Sequence, residues 1–149
     1  LAFFIISVIM SLLFKNFKMV IISLVPNLIP LIFAGGIMGF FGIPLKPSSA
    51  LVFSIVFGIS VDYSIHFLAK FKNELINNSI EISITNTIKQ TGKSMIFTSF
   101  ILFFGFIIFA FSNFGGTIVL GVLTSIILFV AMITNLTLLP SIILRFYKN

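Results

Sequence analysis

The chain has 149 residues, 59% hydrophobic and 8% charged, with 21 Phe, and its mean hydropathy is +1.28. So few charges could not keep a globular surface wet, which excludes a soluble domain and leaves an integral membrane protein. The absence of cysteine excludes disulfides, thiolate metal sites and cysteine nucleophiles. The net charge of +6 is placed in short breaks between apolar runs, so it speaks for membrane orientation and against a nucleic-acid partner.

Five apolar runs follow one another. Residues 1–14 are apolar except for Ser7 and Ser11 and end at Lys15 and Lys18; at about 1.5 Å per residue they cover roughly 21 Å of a hydrocarbon core of about 30 Å. This short first helix, with no charged n-region or cleavage site after it, is expected to be a helix entered part-way rather than a signal peptide. The second span covers about 19–41 and is closed by Gly42-Ile-Pro-Leu-Lys-Pro47. A third, about 49–69, is expected to be capped by Ser48 or Ser49. The fourth and fifth cover about 94–112 and 117–139, separated by a turn at Gly115-Gly116 and ended by Pro140. Between the third and fourth, Leu75, Ile76, Ile80, Ile84 and Ile88 recur near helical spacing, which predicts an amphipathic helix over about 73–90 on the membrane face. The fold class is therefore all-α: a polytopic transmembrane bundle of about five helices plus one interfacial helix.

Eight of the nine basic residues fall on one side: Lys15, Lys18, Lys70, Lys72, Lys89, Lys93, Arg145 and Lys148, against Lys46 on the other. The positive-inside tendency places the 71–93 loop and the C-terminus in the cytoplasm, and an odd number of spans places residue 1 outside.

Two spans carry features of helix geometry. Pro26 and Pro30 remove two backbone donors from the second span and predict a hinge or a fixed kink. Gly35, Gly36 and Gly39 form a small-residue pattern suited to close helix contact.

The third span carries the chemistry. Gly58, Asp62 and His66 recur every four residues and share one helical stripe with Ser54 and Lys70. A carboxylate near mid-bilayer is costly and is expected to face the bundle interior, where such acids mark ion and proton pathways. Asp62 and His66 together suit the uptake and release of protons. Two alternatives stay open: Asp62 as a neutral hydrogen-bonding group satisfied by Tyr63, Thr98, Ser99 or Asn135, and His66 as an interfacial residue beside Lys70. Gly58 is expected to let a neighbouring helix approach.

No catalytic residue and no metal site are read from the chain. Asp62 is the one carboxylate within a span, because Glu74 and Glu81 lie in the loop, so a two-carboxylate protease is excluded. Zinc-protease and phosphate-loop motifs are missing, and Ser60 and His66 point to different helix faces.

The stretch GISVDYSIHFL resembles the G-x-x-x-D-Y pattern of the RND superfamily, in its MMPL, Patched and sterol-sensing-like branch. The stretches around it agree in order: VPNLIPLIFAGGIMGFFGIPL before, then TGKSMIFTSFILFFGFIIFAFS, then LGVLTSIILFVAMITNLTLLPSIIL with its Leu-Leu-Pro end. The resemblance implies that residues 1–149 form a single, partial transmembrane domain of a proton-driven exporter of lipids or other hydrophobic molecules. Asp62 and Tyr63 would carry the proton-relay motif, joined by His66. It implies protons as coupling ion and no cofactor, membrane lipids and a hydrophobic substrate as partners, and a missing partner half, since no second Asp-Tyr pair occurs here. The implied location is the inner membrane, and the Phe, Ile, Asn and Lys bias fits an AT-rich bacterium. The alternative is a sterol-sensing-like regulatory or scaffolding module without transport of its own.

Overall fold

In a hydrocarbon environment every backbone N–H and C=O must find a partner inside its own segment, so long apolar runs are driven into helices. A computed structural model describes the backbone of residues 17–147 and the side chains of 22–146, and in it this rule accounts for nearly every described residue. The helices are α1 (Phe17–Phe40), α2 (Pro47–Glu74), α3 (Ile80–Thr87), α4 (Lys93–Ile107) and α5 (Gly115–Tyr147). Four stretches among the described residues are long and apolar enough to cross a membrane: Ile22–Phe40, Pro47–Glu74, Ile80–Phe111 and Gly115–Phe146. The span expected over 1–14 lies outside the described residues.

Local chemistry sets the ends. Gly42, at φ 62°, closes α1 by letting the Gly42 and Ile43 amides donate back to the carbonyls of Gly39 and Met38. The α2 helix starts earlier than the expected Ser48 or Ser49 cap. Pro47 takes its first position, where a missing N–H costs nothing, and Ser49 Oγ instead accepts from the Lys46 amide at 2.8 Å. Pro26 and Pro30 lie inside α1 without ending it, and α5 likewise continues through Pro140. Gly115 and Gly116, expected as a tight turn, are the first residues of α5. A Cβ on Gly116 would stand 3.1 Å from Ser48 Oγ, so glycine here permits the α5 start to meet the α2 start.

The amphipathic helix expected over 73–90 is not set apart from the fourth span. Residues up to Glu74 finish α2, and α3 runs through a π-helical turn at Ile88–Gly92 into α4, then into a 3₁₀ turn at Ile108–Phe111. Ser83 and Thr87, which read as polar-face residues, are buried because their hydroxyls donate to the carbonyls of Ser79 and Ser83 within the helix.

The central helix is α5, which packs on α1, α2 and α4, while α1 also packs on α2. Two apolar clusters fill these seams, one around Phe67, Phe71, Leu139 and Ile143 and the other around Val52, Val56, Ile127 and Leu128. The outer faces stay apolar: Ile32, Phe97, Ile101, Phe104 and Ile108 all point away from the bundle, as lipid-facing residues do. Gly35, Gly36 and Gly39 lie on such a face with open space around them, so the close contact expected there is not made within the described chain.

Candidate functional site

The α2 helix buries Ser60, Val61, Tyr63, Ser64, Phe67 and Leu68, which fixes its rotation and leaves Ser54, Gly58, Asp62 and His66 on the opposite, outward stripe. The expected stripe therefore exists, but it does not face the bundle formed by the described residues. The Asp62 and His66 side chains are 62% and 68% exposed, and Asp62 Oδ1 stands 3.2 Å from His66 Nε2. Polar residues of the interior face are already matched to α1 and α5, so there the serines displace the carboxylate. Gly58 has nothing within 4 Å of where a Cβ would stand, so the helix approach assigned to it is not made by the described chain.

The α2 and α4 helices hold apart beside Asp62, and the gap is a groove of about 660 Å³. Its walls mix apolar surface, including Ala69 and Met95, with polar groups: Asp62, Tyr63, His66, Lys70 and Asn73 from α2, Gln90 and Thr91 from the π-helical turn, and Ser94 and Thr98 from α4. The π turn advances the chain by one extra residue and so brings Gln90 and Thr91 onto the groove. At its far end Lys70 Nζ pairs with Glu74 Oε1 at 2.8 Å, and Asn86 Nδ2 donates to Glu74 Oε2 at 3.0 Å, tying α2 to α3.

Tyr63 follows Asp62 but turns inward. It is 3% exposed and its hydroxyl shares a 2.6 Å hydrogen bond with Ser99 Oγ, which bridges α2 to α4 across the floor of the groove. The site residues expected from the sequence thus divide into two sets. Asp62, Tyr63, His66 and Thr98 line the groove; Ser99 holds Tyr63 rather than Asp62; Asn135 lies on the other side of α2 and bonds Ser60 and Ser64. Pro26 and Pro30 flank Asn27, a fourth member of that buried set. Asn27 was legible only as a polar residue between two prolines, and Ser60 and Ser64 only as a four-residue repeat.

Among the described residues no group of three or more His, Cys, Asp or Glu could hold a metal ion. What remains is a carboxylate at mid-span and an imidazole one turn further along, open on one side and lying on a groove that reaches toward the end of α2. Such an arrangement can hold and pass a proton.

These features define a polytopic α-helical membrane protein with an ionisable pair in its third apolar segment. The chain belongs to the MMPL family, whose profile matches residues 1–146 and whose members are RND-type membrane transporters and related modules. It is similar to a membrane protein of Methanocaldococcus jannaschii, 30% identical over 124 residues, which is 83% of this chain and 32% of that relative. The chain thus spans about a third of the relative's length. No solved structure gives a significant match.

Proposed function

We propose that the chain is membrane portion of a proton-driven exporter of lipids or other hydrophobic molecules, with Asp62 as the proton carrier. The observation that carries this reading is that the Asp62 carboxylate sits at the middle of a membrane-length helix and is spent on no bond that holds the bundle together. A charge placed there is costly unless water or another protein covers it, and it is useful if its protonation state changes. His66 passes the proton between Asp62 and the groove, and Tyr63, fixed by Ser99, supplies a hydroxyl at the groove floor. The outward stripe of α2 is then covered by a further set of helices, the other half of the transporter. No cofactor is involved; protons are the coupling ion. The positive-inside count puts Lys70, Lys89, Lys93 and Arg145 on the cytoplasmic side of a bacterial inner membrane, with residue 1 outside.

The test compares lipids and amphiphiles released by cells carrying the full-length protein, its Asp62→Asn variant or an empty vector, at equal membrane levels. The wild type adds at least one species that Asp62→Asn does not. Equal release by wild type and variant sinks the relay, and with altered lipid or partner binding it is the result that a sterol-sensing-like module predicts.

A further inference from the structure

On the side of α2 turned away from Asp62, four polar side chains meet: Asn27 of α1, Ser60 and Ser64 of α2, and Asn135 of α5, none more than 1% exposed. Ser60 Oγ donates to Asn27 Oδ1 at 2.7 Å and Ser64 Oγ to Asn135 Oδ1 at 2.6 Å. Asn135 Nδ2 donates to Ser60 Oγ at 3.1 Å and to the Ala131 carbonyl at 3.0 Å. Two features make this more than a static rivet. The single Ser64 hydroxyl hydrogen faces a second acceptor, Asn27 Oδ1 at 3.1 Å, so it can bond to α1 or to α5. Asn27 Nδ2 has no partner among the described residues, and turning the amide over would aim it at both serine oxygens.

We infer that Asn27 is a positioning residue for the proton relay: with Asn135 it clamps Ser60 and Ser64 and so fixes the rotation of α2 that sets where the Asp62 carboxylate stands. This rests on the reading of Asp62 as proton carrier. Ser60 and Ser64 lie two residues before and after Asp62, on the opposite face of one rigid helix. Any turn of α2 that moves the carboxylate therefore moves both hydroxyls by the same angle. Ser60 and Ser64 bond Asn27 and Asn135 instead of turning back to their own helix as Ser83 and Thr87 do, so these inter-helix bonds favour the observed rotation of α2 over others. The exchange of partners at Ser64 and Asn27 gives the clamp two bonded arrangements. Pro26 and Pro30 take two backbone bonds out of the α1 turn that carries Asn27, which lets that turn follow.

The full-length protein is placed in liposomes with a trapped pH-sensitive dye, and gradient-driven proton uptake is followed over a series of external pH values. Asn27→Leu, which keeps the volume and removes the amide, is expected to slow uptake by about a hundredfold, the scale of a misplaced reacting group, and to move the pH of half-maximal uptake. Where Asn27→Leu fails to insert, Asn27→Ser decides by the same midpoint. A wild-type midpoint, with or without loss of rate, overturns the inference, because a merely structural defect lowers the rate without moving it. Asp62→Asn is measured beside them. If it takes up protons as fast as wild type, the relay itself fails; if it is inert while the Asn27 variant keeps the wild-type midpoint, only the clamp fails.

Discussion

His66 Nε2 lies 3.2 Å from Asp62 Oδ1 along the outward stripe of α2, and neither side chain is covered by the rest of the described chain. A pair so placed supports the helix by only roughly a few tenths of a kcal/mol, so its loss costs little stability. Replacing His66 by Leu is therefore expected to slow proton uptake by the full-length protein without lowering its level in the membrane. The loss should be about tenfold, less than the hundredfold or more typical of removing the acid–base group itself. An unchanged rate would assign His66 to the interface beside Lys70.

Tyr63 and Ser99 form the one bridge between α2 and α4 at the floor of the groove that the described hydrogen bonds supply. Tyr63→Phe and Ser99→Ala each break it, and each is expected to cost about 1 kcal/mol in detergent-solubilised protein. The double variant should cost little more than either single one, since both remove the same bond. Additive losses would mean that the two side chains act separately.

The groove should be wet. Because the chain has no cysteine, single cysteines report on it directly. Ser94→Cys, at the groove wall, should react with a membrane-impermeant maleimide added to the side bearing the 71–93 loop, whereas Ser125→Cys, fully buried, should not. Labelling of Ser94→Cys from the opposite side alone would reverse the orientation.

Gly121 and Gly58 make a matched pair for packing. A Cβ at Gly121 would stand 2.6 Å from the Phe106 carbonyl oxygen, where α5 crosses the end of α4, so Gly121→Ala is expected to destabilise the protein by about 1–3 kcal/mol. Gly58→Ala meets nothing among the described residues and should leave the stability intact. Loss of transport by Gly58→Ala in the full-length protein would then locate the surface that the other half covers.

The helical segments were legible because lipid forces apolar runs into helices, and α1, α2, α4 and α5 fall on runs that the composition marks plainly. Their ends were less so. A stretch of polar residues reads as a surface, yet Ser83 and Thr87 satisfy themselves on the preceding turn and go inside. Pro140 reads as a stop, yet a helix can pass through a proline. The shared stripe of Asp62 and His66 was legible in register, and within the described residues it is left exposed. Spacing fixes which residues share a face, but which face is buried depends on partners such as Asn27 and Asn135, which lie 33 residues before Ser60 and 71 after Ser64. The same applies to Gly58, whose small size implied a neighbour that the described chain does not contain.

Proton flux tests the central claim most directly. The full-length protein and its Asp62→Asn variant are reconstituted at equal density in liposomes with an internal pH dye, and a proton gradient is imposed. Uptake that depends on the wild-type protein and disappears in Asp62→Asn is the predicted result; equal uptake through both would contradict Asp62 as the proton carrier.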